Sequence, residues 1–231
     1  MTNRRPVESF NFPVEKIKEG YYTDAYFLRS EEILNGDNYH PRVLMQVFAR
    51  DNVVVCGTDE VIALIKQCAF HPENIVIHSL HDGDEVEEWE TVMTIEGDYA
   101  DFAHLETLYL GILARQSRIA TNVRKVVKAA NGKPVLFFPA RYDIYQTQEA
   151  DGYAALVGGI HGFSTDANAL AAGGRGLGTI PHALIASYKG DTVAATEAFD
   201  KYVDPSIARI ALVDFDNDCV NTSLAVARKL G

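Results

Sequence analysis

The sequence predicts an α/β protein with two parts, residues 1–132 and 133–231. Three short β-branched runs and one helical stretch alternate in the first part: "RVLMQVFAR" (42–50), "NVVVCG" (52–57), "DEVIALIKQC" (59–68) and "ENIVIHSL" (73–80). In the second part, apolar strand-like runs alternate regularly with helical stretches, which is typical of parallel β/α units. The 231 residues, of which 47% are hydrophobic and 23% charged, can bury a sizeable core.

The first part ends with an acidic run and a long helical region. In "HDGDEVEEWE" (81–90) the carboxylates follow one another with no basic residue between them. They repel each other and no cation-binding partner converges on them, so we expect a solvated turn and strand edge. Residues 100–132 carry apolar positions at helical spacing and end in basic residues and a glycine, which predicts one or two long helices.

In the second part, functional groups are expected where strands end, because the carboxyl ends of parallel strands form the usual site edge. The predicted strands are "KPVLFFPARYD" (133–143), which we expect to be buried, "IHGFSTD" (160–166) and "ARIALVDFDND" (208–218). The predicted helices lie in residues 146–159, 167–174, 178–190 and 219–231. The strand ends carry Arg141, Asp143, Ser164, Thr165, Asp214, Asp216 and Asp218.

His182 lies just after a glycine-rich tract, in "GTIPHALI" (178–185). The tract "GGRGLGT" (173–179) is neither a P-loop nor a dinucleotide-binding fingerprint, although its glycines suggest close backbone approach. Two interpretations of His182 stay open: an ordinary polar residue in a first helical turn, or a histidine placed to meet phosphate.

The acidic segment "LVDFDND" (212–218) also allows several interpretations. A phosphatase metal pair or the acidic loop of type I phosphoribosyltransferases is disfavoured, because only 13 residues follow Asp218 and the Thr-Gly ending of that loop is absent. Carboxylates that accept hydrogen bonds from sugar hydroxyls, or that contact a Mg²⁺-bound substrate, remain possible beside plain loop residues.

The composition indicates which classes of partner the protein can bind and in which cellular compartment we expect it. With 21 basic and 32 acidic residues, a net charge of −11 disfavours nucleic-acid binding. Three cysteines form no CxxC pair, the N-terminus lacks an apolar signal core, and no apolar run approaches the ~18 residues of a membrane span. We expect a reduced, cytoplasmic protein.

Six stretches in order resemble nicotinate phosphoribosyltransferases of the type II group, in particular the smaller, archaeal-like branch. They are "GYYTDAYF" (20–27), "LETLYLGILARQSRIAT" (105–121), "FFPARYD" (137–143), "GGIHGFSTDANALAAGG" (158–174), "GTIPHALI" (178–185) and "RIALVDFDND" (209–218). The resemblance implies transfer of phosphoribose from phosphoribosyl pyrophosphate to nicotinate, which gives nicotinate mononucleotide for NAD biosynthesis. It also implies Mg²⁺ bound with phosphoribosyl pyrophosphate, and ATP as a co-substrate.

The resemblance assigns a role to each matching residue. It implies that Tyr26, from the neighbouring subunit of a homodimer, and Phe138 stack on the two faces of the pyridine ring. It implies that Arg141 contacts substrate and that Thr179 lies in the substrate-binding stretch. Ser164 stands where nicotinamide-using relatives have an aspartate, which would repel a carboxylate.

For the ATP-driven step the resemblance implies that His182 is the histidine phosphorylated by ATP, and that Asp214 is its partner or a sugar contact. As a neutral imidazole, His182 would be the nucleophile.

The resemblance further implies an N-terminal α/β (α+β) sandwich over 1–132 and an incomplete β/α barrel over 133–231. Those last 99 residues provide about three β/α units, whereas a full barrel takes ~250 residues. We therefore expect this sequence to be part of a longer enzyme. The alternatives are a quinolinate or nicotinamide phosphoribosyltransferase, or a non-catalytic phosphate- or pyridine-binding fragment.

Overall fold

The computed structural model describes residues 4–231 and divides into two compact units, one up to Gly176 and one from Leu177 to Gly231. The predicted mixed α/β fold is confirmed, and the described residues form no closed barrel. The predicted domain boundary after Gly132 remains a prediction. None of the described helices is long and apolar enough to cross a membrane.

The first unit contains six α-helices and seven strands among its described residues. The helices are α1 (Val14–Lys18), α2 (Ala25–Gly36), α3 (Thr58–Cys68), α4 (Glu106–Ala129), α5 (Gln148–Gly158) and α6 (Asp166–Ala169). The strands are β1 (Arg42–Phe48), β2 (Val53–Val54), β3 (Val76–Ser79), β4 (Glu85–Val86), β5 (Thr91–Asp98), β6 (Leu136–Phe137) and β7 (Gly162–Phe163).

An antiparallel sheet of order β1-β5-β3 forms the first part of this unit. Side chains of β5 alternate between the two faces, so Met93 and Ile95 enter the core. There they meet Leu64 of α3 and Phe102, which precedes α4. The strands and the helix predicted from the β-branched runs and from "DEVIALIKQC" are thus confirmed, and the single 24-residue helix α4 accounts for most of the predicted helical region.

The acidic run forms an exposed turn and the short strand β4, as predicted, except at Asp82. Asp82 is buried, and its carboxylate accepts hydrogen bonds from the Thr58 amide and hydroxyl and from the Tyr153 hydroxyl, each at 2.8 Å. The solvated position predicted for this residue is therefore wrong, because donors distant in the sequence compensate the burial of its charge.

The β6 and β7 strands pair in parallel, with α5 between them along the chain. Helix α5 approaches α4 so closely that a Cβ on Gly158 would lie 2.7 Å from Val123. The predicted parallel β/α arrangement is confirmed here, but the strands are only two residues long. The expected burial of "KPVLFFPARYD" is wrong, since Leu136 is 47% exposed.

The second unit consists of helices around a small core of its own. Its helices are α7 (His182–Ser187), α8 (Thr192–Tyr202) and α9 (Cys219–Leu230). Ile180, Ile185 and Phe199 form the core, with Leu212 and Phe215 packed against it.

The strand predicted over 208–218 is wrong. A strand needs a neighbouring strand for its hydrogen bonds, and the second unit has no strand among its residues. The Ile210 carbonyl instead accepts a hydrogen bond from the Thr179 hydroxyl.

Candidate functional site

The carboxyl ends of β6 and β7 bring two predicted site residues together. Leu136 pairs with Gly162 and Phe137 with Phe163, so Phe138 and Ser164 each directly follow the last paired residue of their strand. The Ser164 amide donates to the Phe137 carbonyl at 3.1 Å. Phe138 is 51% exposed, so its ring remains accessible.

The Ser164 hydroxyl is buried, and its oxygen has no hydrogen-bond partner among the described residues. A buried polar group of this kind costs free energy unless something pairs with it. Gly176 lies directly over the backbone here, because a Cβ on it would be 2.9 Å from the Ser164 carbonyl oxygen. The Gly176 amide donates to Asp166 at 2.7 Å, which holds the glycine-rich segment against the strand ends.

Arg141 lies in the turn after β6, where the amides of Tyr142 and Asp143 both donate to the Pro139 carbonyl. It is exposed, and no ion pair to it occurs within residues 4–231. Arg115 of α4, by contrast, makes a bidentate ion pair with the buried Asp151, at 2.9 and 2.8 Å, and lies 3.7 Å from Asp143. Sequence reasoning missed this pair, because nothing in the sequence links positions 36 residues apart.

Tyr26 lies in the first turn of α2 and is 57% exposed. The start of this helix is fixed by Asp24, whose amide donates to the Thr107 hydroxyl at 3.0 Å and whose carboxylate accepts from it at 2.8 Å. Within the described part of this chain, no hydrogen bond or ring contact joins Tyr26 to Phe138 or Ser164. The structure therefore does not bring Tyr26 to the strand ends of its own chain.

In the second unit, His182 and Asp214 form a pair at the beginning of α7. The His182 Nε2 atom lies 3.0 Å from Asp214 Oδ1, and both side chains are 56% exposed. Two neighbouring contacts hold the pair together: the Thr179 hydroxyl donates to the Ile210 carbonyl, and the Phe215 ring lies 6.1 Å from the imidazole. An ionised Asp214 accepts a hydrogen bond from Nε2–H, which leaves Nδ1 as the nitrogen with a free lone pair.

The other carboxylates of "LVDFDND" stabilise α9. Asp218 accepts from the Asn221 amide as the N-cap of that helix, and hydrogen bonding to Asn221 lowers the Asp218 pKa. Asp216 accepts from the Thr222 hydroxyl at 3.2 Å. Among the described residues, no group of three or more His, Cys, Asp or Glu side chains has the arrangement of a metal site.

The predicted site residues therefore fall into three places. Phe138, Ser164 and Arg141 lie at the β6 and β7 strand ends, Thr179, His182 and Asp214 lie together in the second unit, and Tyr26 lies on α2. Their roles remain predictions.

Residues 24–117 match the sequence profile of the quinolinate phosphoribosyl transferase N-terminal domain. The structure resembles that of nicotinate-nucleotide pyrophosphorylase from Pyrococcus furiosus, with a TM-score of 0.86 and 34% identity over 96% of this chain. The chain has a phosphoribosyltransferase-like fold. It spans 57% of the length of the Pyrococcus chain.

Two more distant structures share this fold. Nicotinate-nucleotide pyrophosphorylase from Ehrlichia chaffeensis is 19% identical with a TM-score of 0.59, over 86% of this chain and 69% of that one. Human nicotinic acid phosphoribosyltransferase is 14% identical with a TM-score of 0.62, over 71% of this chain and 40% of that one.

Proposed function

We propose that this chain is part of a nicotinate phosphoribosyltransferase of NAD biosynthesis. The pyridine nitrogen of nicotinate forms a bond to the anomeric carbon of phosphoribosyl pyrophosphate, and the bond from that carbon to the diphosphate oxygen breaks. The likeness to the Pyrococcus enzyme over almost the whole chain supports this class of reaction. The buried, unpartnered Ser164 hydroxyl, directly after β7, is the observation that carries the choice of substrate.

Each feature of nicotinate has a counterpart at the strand ends. The exposed Phe138 ring offers a face for stacking of the pyridine ring. Arg141 offers a guanidinium for the carboxylate. The Ser164 hydroxyl can donate a hydrogen bond to the same carboxylate, whereas an aspartate there would repel it.

Quinolinate is the second candidate substrate, since the matching family profile is that of quinolinate phosphoribosyl transferase. Quinolinate carries two carboxylates and needs a second cation. Arg115 is occupied by Asp151, so that cation would be Arg175, which is exposed in the glycine-rich segment. Nicotinate has one carboxylate and needs only one such cation, which Arg141 offers, so we favour nicotinate.

The His182–Asp214 pair supports coupling to ATP. In this step the γ-phosphoryl group moves from ATP to Nδ1 of His182 with release of ADP, and water later takes the phosphoryl group from the histidine. Asp214 fixes the tautomer and neutralises positive charge that develops on the imidazole. The free energy released when water takes the phosphoryl group from His182 then favours formation of nicotinate mononucleotide.

Two further parts of the proposal concern Mg²⁺ and a second copy of the chain. The described residues offer no ready set of metal ligands, so Mg²⁺ would arrive on the diphosphate of phosphoribosyl pyrophosphate. The exposed ring of Tyr26 would reach the site of a second copy in a homodimer.

The test is product formation by the purified chain with Mg²⁺ and phosphoribosyl pyrophosphate, offered nicotinate, nicotinamide or quinolinate in turn. We expect nicotinate mononucleotide from nicotinate. Release of CO₂ from quinolinate with no reaction of nicotinate would support the second candidate instead. Binding of nicotinate without turnover would support the alternative of a binding fragment.

ATP coupling has a separate test with γ-³²P-ATP. We expect acid-labile label on the chain, lost in His182→Ala and reduced in Asp214→Asn. His161→Ala is the matched control. His161 is also exposed, but its Nδ1 atom accepts a hydrogen bond from the Val135 amide and so lacks the free lone pair proposed for Nδ1 of His182. Unchanged labelling of His182→Ala would contradict the assignment.

A further inference from the structure

A groove of about 920 Å³ lies in the first unit between α4 and the loop that joins β1 to β2. Its floor consists of the buried side chains of Val47, Val92 and Leu113. None of the residues assigned to phosphoribosyl transfer lines it. Its size and apolar floor are those of sites that bind small organic ligands.

The rim of this groove is positively charged, although the chain as a whole has a net charge of −11. Arg50, Arg118 and Lys125 line it against one carboxylate, Asp51. All three cations are exposed, and none of them has an ion pair within residues 4–231. Because Arg118 and Lys125 are seven residues apart on α4, they lie on the same face of the helix.

The neighbouring cations of α4 show a different arrangement. Arg124 lies 2.7 Å from Glu85, and Lys128 lies 3.4 Å from the same carboxylate. The basic residues of this helix that lie outside the groove thus have ion-pair partners, whereas Arg118 and Lys125 inside it have none among the described residues. A groove with this excess of positive charge favours an anionic ligand.

The wall of the groove offers aromatic and aliphatic surface beside those cations. Phe48 is 41% exposed and Leu110 is 42% exposed. The Phe48 ring lies 5.2 Å from the ring of Trp89, which supports it from one side. Such a surface suits a flat ring, and the adjacent cations suit a phosphate attached to it.

We propose that this groove binds a mononucleotide, whose base lies against Phe48 and Leu110 and whose phosphate lies between Arg50, Arg118 and Lys125. The site is independent of the proposed transfer reaction.

The test uses adenosine 5′-monophosphate as the probe, since it has no γ-phosphoryl group to donate. Trp89 is the only tryptophan, so its fluorescence reports events beside Phe48, and calorimetry gives the Kd. We expect saturable binding that weakens with ionic strength, and binding of adenosine or inorganic phosphate alone at least about ten-fold weaker.

Variants locate the binding. We expect Arg118→Ala and Lys125→Ala each to raise the Kd about three- to ten-fold, and the double variant to abolish binding. Lys66→Ala is the matched control, because Lys66 is exposed on α3 and does not line the groove. Its Kd should equal that of the unmodified chain.

Three results would overturn the inference: no binding of the probe, binding that the double variant leaves intact, or occupation of the groove by a second copy. Occupation by a second copy would appear in sedimentation as a dimer. The Leu110→Asp substitution would dissociate this dimer, and addition of adenosine 5′-monophosphate would not. Failure of phosphoribosyl transfer would leave the nucleotide result unaffected, because the measurement is of binding alone.

Discussion

Asp82 connects three segments of the first unit through its buried carboxylate. Its oxygens accept from Thr58 at the start of α3 and from Tyr153 of α5, each at 2.8 Å. The Tyr153 ring also lies 4.4 Å below the Arg5 guanidinium. One side chain thus joins the turn before β4, α3 and the helix that precedes β7.

Replacement of Asp82 by alanine should destabilise the fold strongly. It leaves the Tyr153 hydroxyl and the Thr58 amide buried without an acceptor, which costs about 2 to 4 kcal/mol of unfolding free energy. Urea denaturation measures the loss. Glu87→Ala is the control, because this exposed side chain belongs to the same acidic run and should change stability by less than about 0.5 kcal/mol. Equal effects would contradict the role of Asp82.

His104 should make stability depend on pH. Its imidazole is fully buried, with Nε2 3.0 Å from the Cys68 carbonyl, and burial lowers its pKa. The folded state therefore favours the neutral ring, and stability falls as pH drops below the ordinary histidine value of about 6.5. Burial raises the pKa of Glu31, 3.8 Å away, which acts in the opposite direction at lower pH.

Urea midpoints at about pH 7.5 and about pH 5.5 test this sign. The unmodified chain should lose stability on acidification, and His104→Gln, whose amide can still donate to Cys68, should lose less. A steeper loss in His104→Gln would contradict the sign. His78→Gln, at an exposed position of β3, should keep the slope of the unmodified chain.

At the scale of elements, packing between α4 and α5 positions the strand ends. Arg124 of α4 donates to the carbonyls of Val157 and Gly158, and Gly158 lies against Val123. Helix α4 therefore packs against α5 and, through the same cluster of apolar side chains, against β6 and β7.

Two glycine substitutions on these helices should have opposite effects. A Cβ at Gly158 would lie 2.7 Å from Val123 and 2.9 Å from the Ala120 carbonyl, so Gly158→Ala should cost about 1 to 3 kcal/mol. A Cβ at Gly111, within α4, meets nothing within 4 Å, so Gly111→Ala should stabilise by about 0.5 to 1 kcal/mol. Thermal and urea unfolding would reveal the difference, and the same sign at both positions would refute this packing.

Periodicity predicted those elements whose burial repeats along the sequence. Helix α3 and strand β1 each turn one side toward the core, and both form as expected, whereas strand β5 was not predicted. The stretch 208–218 has a strand's composition but no strand partner in its unit, and composition contains no information about partners. Helix α8 was not predicted, although Asp191 caps it through the Ala194 amide.

The sequence predicted only those candidate site residues that lie in short motifs resembling those of a known family. Motif resemblance selected Phe138 and Ser164, and each directly follows the last paired residue of β6 or β7. The pairing of His182 with Asp214, 32 residues apart, and the orphaned Ser164 hydroxyl depend on three-dimensional packing. No local pattern encodes them.

For the whole molecule, the position of Tyr26 leads to a prediction about shared sites. If a second copy supplies Tyr26, Tyr26→Ala and Ser164→Asp chains should each be inactive with nicotinate, and a mixture of the two should regain activity. Random exchange makes half the dimers mixed with one intact site each, so about a quarter of full activity should return. No recovery in subunits shown to exchange would place Tyr26 outside the site.

In the proposed function, the Ser164 hydroxyl, directly after β7, selects a pyridine carboxylate. The most direct measurement is the calorimetric Kd of nicotinate and of nicotinamide for the unmodified chain and for Ser164→Asp, with Ser223→Asp on the exposed face of α9 as the control. We expect the unmodified chain and the control to prefer nicotinate, and Ser164→Asp to lose nicotinate binding by about ten-fold or more and to favour nicotinamide. If the ratio of the nicotinate Kd to the nicotinamide Kd were the same in all three chains, this role of Ser164 would be contradicted.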